Sequence, residues 1–163
     1  MTTRILAVCA GNICRSPAAA AAIAAAASDA GVEVSVDSAG TGSWSLGNPP
    51  HPQAVAAGAR AGLTLEGRAR RINSADFDRF DVIVVMDRAN LRDVLAMAPD
   101  LEHRAKVRLF RTFDPETDSD EVPDPYGGPD EGYDDTISQV KAAAAGLVAA
   151  LGSGGVEQAV PRE

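Results

Sequence analysis

The sequence predicts an α/β fold, a doubly wound, four-stranded parallel sheet with helices on both faces, in three layers. The first observation is that short apolar runs recur along the chain, as they do in strands that are buried on both faces. The second is that longer segments of helix-forming residues, ending at glycine or proline, separate these runs. Strands that alternate with helices favour a parallel sheet covered on both sides.

Four segments are interpreted as strands. Residues 5–8, 81–86 and 107–110 are short apolar runs, which is the pattern of fully buried strands. In residues 32–36, valines alternate with polar residues, and this alternation predicts a half-buried strand.

Helices are predicted between these strands. Pro17 suits the first turn of a helix over residues 18–28, and Gly31 ends that helix. Further helices are expected at residues 53–61, 90–98 and 134–151. Two stretches rich in turn-forming residues, 40–52 and 111–133, are predicted to be loops.

A chain of 163 residues is long enough for one compact domain, which we place at residues 1–152. Neither an internal repeat nor a linker divides it. The Gly-Ser-Gly-Gly stretch near the C-terminus marks the start of a tail, residues 153–163, that we expect to be flexible.

Composition excludes several classes of function. A net charge of −8 argues against a nucleic-acid partner, which needs a basic face. No segment is long and apolar enough for a membrane partner to be expected. The two cysteines, Cys9 and Cys14, share one short loop, which differs from a secreted disulfide framework and predicts a cytoplasmic protein. No residue cluster has metal-ligand spacing, so we expect no metal and no cofactor.

The segment that carries chemistry is Val-Cys-Ala-Gly-Asn-Ile-Cys-Arg-Ser-Pro, residues 8–17, between the first strand and the first helix. In open α/β sheets this is where ligands bind. Gly11 and Asn12 tolerate unusual backbone angles, so the loop is able to curl and point its N–H groups inward. Such a nest at a helix N-terminus suits a phosphate dianion, and Arg15 adds a planar bidentate donor.

Cys9 lies at the end of the strand and is expected to face the centre of this nest. The same donors that bind phosphate would stabilise a thiolate there. A thiolate held against a bound phosphate is a nucleophile aimed at phosphorus. The Ser16 hydroxyl is placed to donate a hydrogen bond to the sulfur. The residue types therefore predict phosphoryl transfer to Cys9.

These residues resemble the low-molecular-weight protein tyrosine phosphatases, in which Cys-x5-Arg-Ser-Pro directly follows the first strand. The likeness runs nearly end to end, through residues 37–41, Met86-Asp87 and residues 124–127. It implies that the chain hydrolyses phosphotyrosine on proteins through a phosphocysteine on Cys9, with Arg15 as phosphate clamp. It also implies substrate binding by the loop residues Ala10, Gly11, Asn12, Ile13, Cys14 and Ser16. Phosphotyrosine-containing proteins are the expected partners, and a monomer or weak dimer is the expected state.

A general acid is expected in the late loop, because the departing phenolate needs a proton. Composition leaves seven carboxyls open, namely Asp114, Glu116, Asp118, Asp120, Glu121, Asp124 and Asp130. The resemblance selects Asp124, which lies between two prolines. In the second step its carboxylate would activate the water.

Trp44 and Tyr126 are expected to form the walls of the substrate slot, because two aromatic faces grip a phenyl ring. The resemblance supports both positions. Relatives often carry a second aromatic residue directly after the position of Tyr126, where this chain has Gly127. The glycine predicts a wider mouth of the substrate slot. The family's usual histidine is replaced by Gly67, so Asn12 is expected to be held differently, by Ser38.

Some roles stay open at this point. Asp87 is interpreted either as a cap of the following helix or as a contact of the loop in residues 8–17, which we call the phosphate loop. Cys14 is interpreted as a packing residue that is able to form a disulfide with Cys9 under oxidation, a protection known in the family.

Three rival functions share some of these features. A protein arginine phosphatase has the same scaffold, but those enzymes tend to carry threonine where Ile13 stands, so Ile13 favours tyrosine. A thiol-dependent arsenate reductase needs a further cysteine beyond the loop, and none follows Cys14. A phosphotyrosine-binding module without catalysis would not need the nucleophile, clamp and acid together.

Overall fold

The computed structural model describes residues 2–154, and its sheet confirms the predicted fold class. All strand pairs are parallel, in the order β2-β1-β3-β4. The strands are β1 Thr3–Cys9, β2 Val34–Gly40, β3 Val82–Val85 and β4 Val107–Leu109.

Helices cover both faces of this sheet. They are α1 Arg15–Ala30, α2 Pro52–Arg60, α3 Asp76–Arg79, α4 Arg88–Met97, α5 Leu101–Arg104 and α6 Asp130–Gly154, with a 3-10 helix at Phe110–Phe113. Alternate residues of β1 point to opposite faces. Ile5 and Ala7 pack in the larger core with α1, α2 and α6, whereas Leu6 and Val8 pack with α3 and α4.

The second strand differs from its prediction in both bounds. It begins two residues later than the alternation suggested and continues to Gly40. The reason is the register with β1, in which Thr3 pairs with Val34 and Cys9 pairs with Gly40. The length of the central strand therefore decides where its neighbour ends.

Three short elements were not predicted from the sequence. These are α3, α5 and the 3-10 helix, each of four residues. A single turn is too short to show a hydrophobic period, so it leaves no pattern to detect. The 3-10 helix replaces the start of the predicted loop over residues 111–133.

The last helix is longer at both ends than predicted. It begins at Asp130 rather than at residue 134, and Asp130 and Glu131 give its first turn the negative charge that a helix N-terminus favours. It ends at Gly154, so the first two residues of the expected tail are helical. The rest of that tail, residues 155–163, lies outside the described residues.

The fold brings the loop after β1 to the carboxyl edge of the sheet, beside the end of β2. Thr41 donates its N–H to the Cys9 carbonyl at 2.9 Å, and Gly42 donates to the Ala10 carbonyl at 3.0 Å. A Cβ atom at Gly40 would lie only 2.6 Å from the Ala10 oxygen, so only glycine allows this approach. The neighbours β2 and β3 lie on opposite sides of β1 in the sheet. The carboxyl end of β1 is therefore a topological switch point, where open α/β sheets bind ligands.

None of the helices among residues 2–154 is both long and apolar enough to span a bilayer.

On the side of the sheet formed by α3 and α4, His103 joins two carboxylates. Its Nδ1 lies 2.6 Å from Asp100 and its Nε2 lies 2.7 Å from Asp78, which belongs to α3. The hydrogen bonds with Asp78 and then with Asp100 raise the pKa of His103 above its ordinary value. The charged imidazole therefore ties α5 to α3.

This ion pair predicts a pH dependence of stability. Because the pKa of His103 is higher in the folded than in the unfolded state, the contribution is complete below about pH 6.5 and is lost as pH rises through the folded pKa. In urea unfolding, we expect the midpoint of the wild type to fall between about pH 6 and about pH 9 by more than that of His103→Gln. The same pH dependence in both proteins would contradict this assignment.

Candidate active site

The loop between β1 and α1 takes its shape from Asn12, which has a φ of 58°. Asparagine is one of the few residues that tolerate this left-handed conformation. Its Nδ2 donates to Ser38 Oγ at 2.9 Å and to Ser16 Oγ at 2.8 Å, and its Oδ1 accepts from the Arg70 amide at 3.0 Å. The contact expected with Ser38 is present, whereas the Arg70 contact was not predicted from the sequence.

Cys9 is buried at the base of this loop, with 2% of its surface exposed. Its Sγ accepts a hydrogen bond from the Asn12 amide at 3.3 Å and lies 3.1 Å from Ser16 Oγ. The Ser16 hydroxyl already accepts from Asn12, so its own proton is available for the sulfur or for the Ala39 carbonyl at 3.4 Å. A sulfur anion would be the stronger acceptor. These contacts suit a thiolate.

Four backbone amides of this loop remain available as hydrogen-bond donors. The amides of Gly11, Ile13, Cys14 and Arg15 donate to no other residue among those described. Arg15 begins α1, so the positive end of that helix dipole reinforces these donors. The arrangement has the chemistry of an anion site.

Arg15 lies at the side of this site and is 2% exposed. Its Nη1 donates to Asp87 Oδ2 at 2.6 Å and to the Val122 carbonyl at 3.0 Å. The other oxygen of Asp87 accepts from the Asn90 amide at 2.8 Å and so caps α4. The two roles that the sequence left open for Asp87 are therefore both present.

A pocket of about 220 Å³ opens above the loop. It is lined by Cys9, Ala10, Gly11, Ile13, Cys14, Arg15, Trp44, Ser45, Asp124 and Tyr126. Two predicted site residues, Asn12 and Ser16, are buried behind the loop instead. Ser45 lines the pocket but was not predicted, because a serine in a loop of small polar residues gives no distinguishing signal.

The indole of Trp44 lies over the phosphate loop. A Cβ atom at Gly42 would come within 1.7 Å of the ring, and one at Gly11 would lie 3.2 Å from Nε1. Both glycines thus leave the space that the ring fills. Trp44 and Tyr126 are 70% and 63% exposed, so the pocket mouth presents two aromatic side chains to solvent.

Of the seven carboxyls in the late loop, only Asp124 lines this pocket. Val122 holds the segment in place, because its amide donates to the Met86 carbonyl at 2.7 Å and its carbonyl accepts from Arg15. Asp124 Oδ1 accepts from the Tyr126 amide at 3.1 Å, and Oδ2 lies 3.9 Å from Arg15 Nη2. The carboxyl that the resemblance implies as the acid is therefore the one that lies at the pocket, beside Arg15.

The second thiol of the loop is that of Cys14. It occupies the N-cap position of α1, where its side chain makes no capping hydrogen bond, and it is buried, with 5% of its surface exposed. Burial, and then the negative charges at Cys9 and Asp124, raise the pKa of the Cys14 thiol to about 12. A thiol with this pKa stays protonated at neutral pH and packs as a small apolar group.

The raised pKa of Cys14 predicts selective alkylation. At pH values up to about 9, iodoacetamide should modify Cys9 and leave Cys14 unmodified, because only a thiolate reacts. Peptide mapping by mass spectrometry measures both sites, and the unfolded protein, in which both should react, is the control. Equal rates at the two cysteines of the folded protein would contradict the assignment.

Comparison with known proteins agrees with this geometry. Residues 4–157 match the family model described as low molecular weight phosphotyrosine protein phosphatase. A low molecular weight protein-tyrosine-phosphatase from Streptomyces coelicolor is 42% identical over 155 residues, covering 93% of this chain and 94% of its own.

Solved structures share the fold. A protein tyrosine phosphatase from Entamoeba histolytica, crystallised with Hepes in its active site, superposes with a TM-score of 0.90 at 32% identity, over 93% of this chain and 98% of that one. The YwlE arginine phosphatase, in a variant with a phosphorylated active-site serine, has a TM-score of 0.84 over 93% and 97% of the two chains. At 24% identity, that likeness shows the fold alone. The family match, the sequence relatives and the pocket together establish that this chain belongs to the low-molecular-weight phosphotyrosine protein phosphatases.

Proposed function

We propose that the protein hydrolyses phosphotyrosine on other proteins through a phosphocysteine intermediate on Cys9. The observation that carries the proposal is that one pocket of about 220 Å³ is lined by Cys9, Arg15, Asp124 and loop residues whose amides have no acceptor within residues 2–154. Few other reactions need a sulfur nucleophile, an anion nest and a separate carboxyl at these positions.

In the first step, the loop amides and Arg15 bind the non-bridging oxygens of the phosphate. The Cys9 thiolate attacks phosphorus, and the bond from phosphorus to the tyrosine oxygen breaks. Asp124 gives its proton to the departing phenolate. Its position supports this role, because its carboxyl lies beside the guanidinium that would hold the phosphate.

In the second step, water attacks phosphorus and the bond from sulfur to phosphorus breaks. The Asp124 carboxylate takes a proton from that water, and Ser16 donates a hydrogen bond to the departing sulfur, as its 3.1 Å separation from Cys9 allows. Donors that are already oriented stabilise the charge of the phosphoryl group in both transition states.

The aromatic mouth favours tyrosine as the substrate residue. Trp44 and Tyr126 provide two apolar faces for the phenyl ring, and Ile13 lines the pocket where a hydroxyl would suit a guanidinium better. Gly127 has a φ of 83° and an open space around it, which supports the proposed wide mouth.

We further propose that the protein acts on phosphoproteins in the cytoplasm as a monomer or weak dimer. Two features support this setting. Cys9 and Cys14 lie in one short loop, unlike the cysteines of a secreted disulfide framework, and this favours a reducing compartment. The net charge of −8 opposes strong self-association and binding to nucleic acid.

The nucleophile is tested by Cys9→Ser. We expect hydrolysis of p-nitrophenyl phosphate to fall by about 10³-fold or more, because a neutral hydroxyl replaces a sulfur anion. Cys14→Ser is the matched control, since a protonated packing thiol should be replaceable with a small loss. Substantial activity in Cys9→Ser would end the proposed mechanism.

The acid is tested by Asp124→Ala, for which we expect kcat on a phosphotyrosine peptide to fall about 10²- to 10⁴-fold. The loss on p-nitrophenyl phosphate should be smaller, because that leaving group needs less protonation. Asp118→Ala is the matched control, since this carboxyl lies in the same loop but does not line the pocket. Equal losses in the two variants, or equal losses on the two substrates, would contradict the role of Asp124.

A further inference from the structure

His51, which the proposed mechanism does not use, touches the phosphate loop from behind. Its backbone amide donates to the Ile13 carbonyl at 2.8 Å. Its Nδ1 accepts from the Gln53 amide at 3.2 Å, so the side chain caps the N-terminus of α2. This bond fixes the orientation of the ring and places the proton of the neutral imidazole on Nε2.

The imidazole of His51 lies between two tyrosines. It stacks on Tyr133 with ring centroids 5.6 Å apart and an interplanar angle of 13°. It meets Tyr126 edge to face, at 5.5 Å and 74°. Tyr133 belongs to α6 and is 1% exposed, so it is a rigid platform, whereas Tyr126 is 63% exposed. The histidine therefore connects a fixed ring to a ring that solvent would otherwise surround.

Gln53 contacts the chain just after Tyr126. Its Nε2 donates to the Gly128 carbonyl at 3.2 Å and to Asp130 Oδ1 at 2.9 Å. The segment that carries Tyr126 is thus fixed just beyond the turn at Gly127. Within residues 2–154, His51 supplies the only aromatic-ring contact that Tyr126 makes.

From this arrangement we propose that His51 is a positioning residue for substrate binding, which holds the ring of Tyr126 in the orientation that receives the phenyl group of the substrate. The inference rests on the proposed function, because it takes Tyr126 as a wall of the substrate pocket. An aromatic pair of this geometry favours one orientation over others. Since that orientation exists before binding, the substrate loses less free energy in ordering the wall.

The alternative is that His51 matters only as a helix cap, and two variants separate these roles. His51→Asn keeps an oxygen that is able to cap α2 but removes the ring. We expect it to raise KM for p-nitrophenyl phosphate about three- to tenfold, the factor that an aromatic pair contributes, with kcat within about twofold. His51→Phe keeps the ring and loses the cap, and it should return KM to near the wild-type value.

Inorganic phosphate serves as a competitive inhibitor that binds the phosphate loop but has no ring to contact Tyr126. Its inhibition constant therefore measures anion binding at the loop alone. Its inhibition constant should stay within about twofold of the wild type in His51→Asn, because phosphate has no ring for Tyr126 to contact. A parallel rise of KM and of this constant would overturn the proposal, since it would mean that His51 acts through Ile13 and the phosphate loop. An unchanged KM in His51→Asn would also overturn it.

A double-mutant cycle tests whether Tyr126 is the intermediary. If His51 acts through that ring, His51→Asn should raise KM no further in a Tyr126→Leu background. Additive effects would overturn the proposal. These outcomes are distinct from failure of the proposed function, which would appear as a wild type that does not hydrolyse phosphotyrosine or as an active Cys9→Ser variant.

Discussion

The site depends first on one residue in an uncommon backbone conformation. Asn12 adopts a left-handed conformation in the loop after Cys9, and its side chain reaches Ser16, Ser38 and the Arg70 amide. These three contacts join α1, β2 and the segment that follows α2. The cost of a left-handed residue is therefore offset by hydrogen bonds inside a buried site, and the anion nest exists before any substrate arrives.

The second constraint is electrostatic. The protein carries a net charge of −8, yet one pocket brings the Arg15 guanidinium together with the amides of the loop. Arg15 is nearly fully buried, and the carboxylate of Asp87 at 2.6 Å offsets the loss of its hydration. Because Asp87 also caps α4, the orientation of the guanidinium is tied to the helix on the opposite face of the sheet. Val122 then links the same guanidinium to the loop of Asp124.

Much of the fold was predictable because its strongest signals are local. The buried runs of β1 and β3 and the alanine-rich α1 are apparent in the sequence, and the structure contains each of them. The bounds of β2 were not predictable, because pairing with β1 decides them. The one-turn helices were missed for a different reason, since four residues are too few to show a period.

The sequence by itself determined the strand, loop and helix that hold Cys9, Arg15 and the anion nest, because these residues are contiguous in the chain. Composition alone left seven acids of the late loop open, and the tertiary structure shows that Asp124 is the one at the pocket and that Asp87 contacts Arg15. It also placed His51 between Tyr126 and Tyr133. These contacts join residues about seventy or more positions apart, so they arise from how the helices pack on the sheet, and no local pattern of residues records them.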